Sequence, residues 1–142
     1  VGELRGEPSA HLPSSAFVNF LQNHDQIGNR ALGERLASLT QPEPPRAALA
    51  ILLLTPPIPM LFMGEEYSAT QPFFYFCDYT GELAAAVRNG RREEFAGFAA
   101  FSDEQRREQI PDPKESATFE RSQLVWEERG DPQHRPWWEY VS

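Results

Sequence analysis

Asn23, His24, Asp25 and Gln26 set an amide, an imidazole, a carboxylate and a second amide in consecutive positions. Such a group donates and accepts hydrogen bonds in several directions, and its carboxylate can hold a fixed negative charge beside a reacting atom. Glu65 and Glu66, followed by Tyr67, form a second acidic group further along the chain. Each group closes an apolar run: Phe17 to Gln22 before the first, Ile58 to Met63 before the second. Ile27-Gly28-Asn29-Arg30 then supplies the residues that turn a chain away from a sheet. Asp, Asn and Gly are also ordinary turn residues, so the local spacing fits both a site and a plain turn.

Positioning these groups requires a framework. Phe17 to Asn23 and Ile58 to Met63 read as two buried strands. Between them, leucines at 32, 36 and 39 fall on one helical face, which predicts a short helix over 30–39, weakened by Gly33. A second helix is expected to start near Pro44, where proline is tolerated in the first turn, and to end before Pro56-Pro57. Its second half, Ile51 to Leu54, is apolar nearly all round, which predicts burial on more than one side. Strand, crossover helix and strand make a parallel pair. Both polar groups would then lie on one rim, at the strand C-termini where parallel α/β folds build their sites.

Beyond that rim, Thr70-Gln71-Pro72-Phe73-Phe74-Tyr75-Phe76 is rich in aromatics. It reads either as a core strand or as a wall on which an apolar sugar face could stack. Residues 81–98 predict a helix with Leu83, Ala84, Val87, Phe95 and Phe98 buried and Arg91-Arg92-Glu93-Glu94 solvated. Residues 102–109 are strongly charged. Ile110 to Pro113 and Ala117 to Phe119 read as an ordered surface loop, Trp126, Trp137 and Trp138 as packed, and Arg135-Pro136-Trp137 as a helix start. Residues 1–15 read as a loop.

With 142 residues the chain is long enough for one domain and too short for a whole barrel of about 250 residues. The net charge is −8, and of the thirteen basic residues only Lys114 is a lysine. No basic stripe is present to neutralise phosphates, which argues against a nucleic-acid partner. One cysteine, Cys77, excludes an internal disulfide, and no Cys/His spacing suggests zinc. No signal peptide and no membrane-spanning run is read from the sequence, so a cytoplasmic location is expected. Both ends read as cut, with a new helix starting where the chain stops; residues 1–142 are expected to be part of a larger domain.

The run Phe17-Val-Asn-Phe-Leu-Gln-Asn-His-Asp-Gln-Ile-Gly-Asn-Arg30 resembles the motif that ends the seventh barrel strand in the α-amylase superfamily, glycoside hydrolase family 13. Ile58-Pro-Met-Leu-Phe-Met-Gly-Glu-Glu-Tyr67, Ile110-Pro-Asp-Pro113 and Thr118-Phe-Glu-Arg-Ser-Gln-Leu124 extend the likeness to a trehalose-releasing branch of that family. The resemblance implies an α/β fold: part of a (β/α)8 TIM barrel comprising the seventh and eighth strand–helix units and a long loop after the eighth strand. It also implies retaining hydrolysis of the α-1,4 bond beside the terminal trehalose of malto-oligosyltrehalose or a related α-glucan, with no metal and no cofactor.

Asp25 matches the carboxylate that stabilises the transition state. Gln22, Asn23, His24, Gln26, Arg30, Glu65, Glu66, Tyr67, Phe73 and Phe74 are the expected substrate-binding residues. Read from the rim alone, Asp25 with Glu65 or Glu66 would be the nucleophile and acid of a glycosidase. The resemblance moves those two roles to the fourth and fifth strands, which this sequence does not contain, so residues 1–142 are expected to be inactive alone. Glu65 and Glu66 are then expected to shape the rim and to bind Arg30 or the substrate. The remaining alternatives are a branching or debranching enzyme of the same superfamily and a non-catalytic carbohydrate-binding fragment.

Overall fold

The computed structural model describes residues 6–142; the first five residues of the loop expected over 1–15 lie outside them. Two strands, β1 (Val18–Asn19) and β2 (Ile58–Pro59), pair in parallel, with Val18 opposite Ile58 and Asn19 opposite Pro59. Ile58 N donates to Phe17 O at 2.9 Å and Met60 N to Asn19 O at 2.8 Å. Pro59, lying between these donors, has no N–H to give and none is needed on that side. The parallel pairing expected from the sequence is present, and both chains leave the sheet at the same edge.

The strands are shorter than the expected spans 17–23 and 58–63, and the first polar group explains why. Asn23 caps a helix, α1 (His24–Gly28), and the Gln22 side chain turns inward to Leu36 N at 3.0 Å. These two commitments draw Phe20 to Gln22 off the ladder.

The helix expected over 30–39 is reduced to α2 (Leu36–Leu39). Gly33 breaks it: its φ is +60°, and a Cβ there would stand 2.6 Å from Phe73 O. Its carbonyl instead accepts from Phe73 N at 2.9 Å, so the aromatic segment runs directly against this backbone. The crossover helix α3 (Glu43–Leu54) starts within its proline run and ends at Thr55, before Pro56-Pro57. Leu49 and Leu52 are buried, whereas Ile51 is 65% and Leu54 85% exposed. The expected burial of its second half on more than one side is therefore not found, although near its start Arg46 stacks over Tyr140 of the C-terminal helix and its carbonyl accepts from the Tyr140 hydroxyl at 3.1 Å.

The aromatic segment is neither strand nor helix, and the core-strand reading is corrected. Proline at 72 and the contact with Gly33 commit its backbone elsewhere. Helix α4 (Gly81–Glu94) stops four residues short of the expected end, and Ala96 N and Phe98 N close turns on Glu93 O and Phe95 O. Ala84 and Phe95 are buried as expected, but Leu83 and Phe98 are exposed. Phe95 packs with Ala31 and Ile110 in a small core flanked by Leu32 and Phe101.

The charged stretch that follows folds as α5 (Glu104–Glu108), capped by Asp103, whose Oδ1 accepts from Gln105 N at 2.7 Å. The expected surface loop contains a helix, α6 (Ser116–Glu120). Thr118 is buried in it because its hydroxyl donates to Asp112 O at 2.6 Å. Proline near the start of α7 (Arg135–Val141) fits the expected helix start. This helix packs on the 3-10 turn Glu65–Tyr67; Trp137 is half-buried there, while Trp126 and Trp138 remain exposed.

Candidate active site

Helix α1 is too short to be stable alone, so its neighbours must hold it. At its start, Asn23 is extended (φ −144°), and its Oδ1 accepts from Gln26 N at 2.9 Å. Ile27 N donates to Asn23 O at 3.1 Å and Asn29 N to Asp25 O at 3.0 Å. Asp25 sits in the first turn, where the exposed backbone N–H groups favour an anion. At the other end Gly28 is buried against Phe73, whose ring carbon would lie 3.7 Å from an added Cβ. The turn is fixed at both ends, yet the side chains of His24 and Asp25 are 70% and 73% exposed. His24 Nε2 and Asp25 Oδ1 are 3.3 Å apart. The tip thus offers a carboxylate and an imidazole in contact with each other and open to a ligand.

Under this tip lies a buried polar layer. Gln22 Oε1 accepts from Leu36 N at 3.0 Å, and its side chain lies beside Glu65. The Glu65 Oε2 accepts from Phe62 N at 3.0 Å. Burial pushes the Glu65 carboxyl above the ordinary carboxylate range, against the pull of the Phe62 N–H, Gln22 and Arg35; Glu66 adds to the rise. Arg35 is 1% exposed. Its Nε donates to Gln71 O at 2.6 Å and its Nη1 to Met63 O at 2.7 Å. Burial lowers the Arg35 guanidinium, opposed by the nearby Tyr67, Glu65 and Glu66. Tyr67 is wholly buried, which raises its phenol, and its carbonyl is 3.0 Å from His134 Nδ1. A cavity of about 20 Å³ between Gln22, Arg35, Glu65 and Trp137 has room for about one water.

The expected site residues therefore divide. Gln26 and Arg30 share an open groove of about 200 Å³ with Glu34 and Leu36, beside the turn that carries His24 and Asp25; Gln22 also borders it but is buried and belongs to the layer beneath. Arg30 Nε donates to Glu34 Oε2 at 3.3 Å; the expected pairing with Glu65 or Glu66 is not formed, because Glu65 is turned inward to Phe62. Glu65 and Tyr67 belong to the buried layer, with Glu66 half-buried beside them. Phe73 is half-buried and edge-on to Phe62 and Phe76, with ring centroids 5.2 and 5.8 Å away. Phe74 is buried, its N–H donating to Ser122 Oγ at 3.0 Å and its ring under Arg121. Tyr75 and Phe76 are the exposed rings of the segment.

The chain is 46% identical over 130 residues to the malto-oligosyltrehalose trehalohydrolase of Deinococcus radiodurans, covering 92% of this chain and 21% of that protein. It is similar to a trehalohydrolase segment. The Saccharolobus solfataricus protein of the same name is 41% identical over 130 residues, covering 91% of this chain and 21% of that one. A crystal structure from Salmonella typhimurium, described as a candidate alpha amylase, superposes with a TM-score of 0.80 at 46% identity. It covers 91% of this chain and 21% of the solved one. No family model matches. The resemblance read from the motifs holds, and this chain spans about a fifth of the length of the trehalohydrolases it matches. The superposition gives the mixed helix and sheet arrangement as one found within that solved structure. Among the described residues no helix is long and apolar enough to cross a membrane, and no three His, Cys, Asp or Glu side chains could hold a metal ion.

Two residues of this trehalohydrolase-like segment escaped the sequence reading. Nothing in the local pattern distinguishes Arg35 from an exposed helix charge. Arg91 did carry a signal: it continues the register Ala84, Val87, Arg91, Phe95, one face of α4 at helical spacing. It is 8% exposed, and its assignment to a solvated block is corrected.

Proposed function

We propose that the polypeptide carrying this chain hydrolyses the α-1,4 bond beside the terminal trehalose of malto-oligosyltrehalose, releasing trehalose with retention of configuration. On this reading the chain supplies the seventh and eighth strand–helix units of a (β/α)8 barrel and the loop after them. The observation that carries it is the 46% identity over 92% of the chain to a protein named for that reaction. Asp25 acts as the fixed anion. The transition state of glycoside hydrolysis is oxocarbenium-like, and an oriented carboxylate stabilises its positive charge without reorganising. His24, 3.3 Å from Asp25, donates to a sugar hydroxyl. Asn23, Gln26 and Arg30 bind from the groove side, and Glu66 and Phe73 from the opposite wall. Gln22, Glu65, Tyr67 and Phe74 act by holding that wall in place, because their side chains are buried. Nucleophile and acid/base carboxylates are assigned to no residue of this chain. The reaction uses no cofactor or metal and runs in the cytoplasm.

Trehalose release from maltotriosyltrehalose by the full polypeptide tests this reading. Trehalose with the residual maltotriose is the expected product pair. Transfer of the glucan to form branches, or sugar binding without cleavage, would overturn it.

A further inference from the structure

We propose that Arg91 is a positioning residue for the His24–Asp25 tip, an inference that rests on the function proposed above. Its guanidinium comes from α4, more than sixty residues away in sequence from the groups it touches. Nη2 donates to Gly28 O and, at 3.1 Å, to Arg30 O, while Nη1 donates to Glu94 Oε2 at 3.0 Å. The group is sandwiched against Phe95 and Tyr75, with Cζ 4.8 and 5.5 Å from the two ring centroids.

Gly28 O is the last carbonyl of α1 and has no partner within the helix, and Arg30 O lies two residues beyond it, in the turn that Gly33 N closes at 3.3 Å. The last carbonyls of a helix need outside donors, and a cation there also opposes the backbone dipole. Arg91 supplies both at the end opposite Asn23. Both carbonyl bonds come from one nitrogen, Nη2, while Glu94 on Nη1 and the rings of Phe95 and Tyr75 on the guanidinium plane fix its orientation, which a freely rotating ammonium would not share. Because α1 is one turn and a half of backbone, a shift at Gly28 is carried to Asp25 nearly undiminished. Nothing else on α4 reaches this turn by a side-chain hydrogen bond among the described residues. Arg91 touches no reacting atom; it fixes the angle at which the carboxylate and imidazole are presented.

The experiment uses the full polypeptide with Arg91→Met, Arg91→Lys and, as a control of equal structural weight, Ile110→Ala in the adjoining core. Steady-state trehalose release, thermal melts and amide hydrogen exchange at Ile27, Asn29 and Arg30 are measured on each. Arg91→Met should lower kcat on the order of 10- to 100-fold, the scale of a misplacement of about 1 Å, with less change in KM. It should speed exchange at those three amides, and millimolar guanidinium should restore part of kcat. Arg91→Lys should fall between it and the parent, and it decides the matter if the methionine variant does not fold. Ile110→Ala should lower the melting point while leaving both kcat and the three amides near parental values. Unchanged exchange at Ile27 to Arg30 in a folded Arg91 variant overturns the proposal, as does an equal kcat loss in Ile110→Ala. If the parent releases no trehalose, the proposed function fails and the exchange result alone decides the role of Arg91.

Discussion

The tip at His24–Asp25 and the layer at Gln22–Glu65–Arg35–Tyr67 contain the same kinds of side chain and put them to opposite uses. At the tip the charged groups are open, and the hydrogen bonds that fix them come from the backbone beneath: Asn23 at one end, Arg91 at the other. In the layer the charged groups are themselves the fixings, each spending its hydrogen bonds on a main-chain partner. Burial raises the cost of a carboxylate's charge, and exposure to water does not. Asp25 is open to a ligand, whereas Glu65, whose carboxyl burial pushes up, spends an oxygen on Phe62 N and so holds the loop that faces it.

The sharpest way to break the comparison is Asp25→Asn in the full polypeptide. Removing one fixed, preorganised charge should lower kcat by about 10²- to 10³-fold. Because the side chain is 73% exposed, the melting temperature should stay within error of the parent. Near-parental turnover of maltotriosyltrehalose would remove Asp25 from the chemistry.

Arg35→Met should show the reverse pattern. It leaves the carbonyls of Met63 and Gln71 without their donors, at a cost of about 2 kcal/mol or more in stability. Activity measured well below the new melting point should drop far less than in Asp25→Asn. Urea melts and single-temperature kinetics on the two variants form the test. A loss of kcat as large as that of Asp25→Asn would mean that the layer takes part in the reaction and the division is false.

Asn23→Ala acts at the boundary between the regions. Loss of the cap on Gln26 N should cost about 1 kcal/mol, and kcat should fall modestly because α1 frays toward His24. Asn23→Ser or Asn23→Asp, which keep an acceptor, should recover most of both losses. If alanine and aspartate behave alike in melts and kinetics, the cap does not control the tip.

How much of this was legible in the sequence follows the same division. The tip was legible because exposed chemistry is written in consecutive residues: Asn23 to Gln26 stand together after an apolar run and before a glycine. The parallel pairing was legible too, since strand, helix and strand leave few other arrangements. The layer was hidden. Arg35 is buried by residues 28 and 36 positions away, Met63 and Gln71, and no local pattern records a distant acceptor. The aromatic segment misled for a related reason: its composition favours a strand, yet the close approach of Gly33 to Phe73 fixes its course. Arg91 was readable from the register of α4, but the neighbouring Arg92-Glu93-Glu94 made the whole block look solvated.

The smallest expected effect, and the one that tests the electrostatic half of the comparison, is the pH dependence of Glu65. Its folded-state pKa is raised, with desolvation as the largest cause and Glu66 contributing, against Phe62 N, Gln22 and Arg35. A carboxyl with a raised folded pKa binds its proton more tightly folded than unfolded. Its contribution to stability is therefore fully present below the unfolded value, and it is lost as pH rises through the folded one. Glu65→Gln fixes the neutral form and removes this slope, while an amide oxygen can still accept from Phe62 N. Relative to the parent, the variant should thus gain stability as pH is raised from about 4, near the ordinary carboxylate value, to 7, whatever the absolute offset between them. Urea melts of both proteins at closely spaced pH values measure the difference. A parent that gains on the variant over that interval would mean Glu65 is stabilised as an anion by Arg35, and the layer would then be an ion pair rather than a neutral brace.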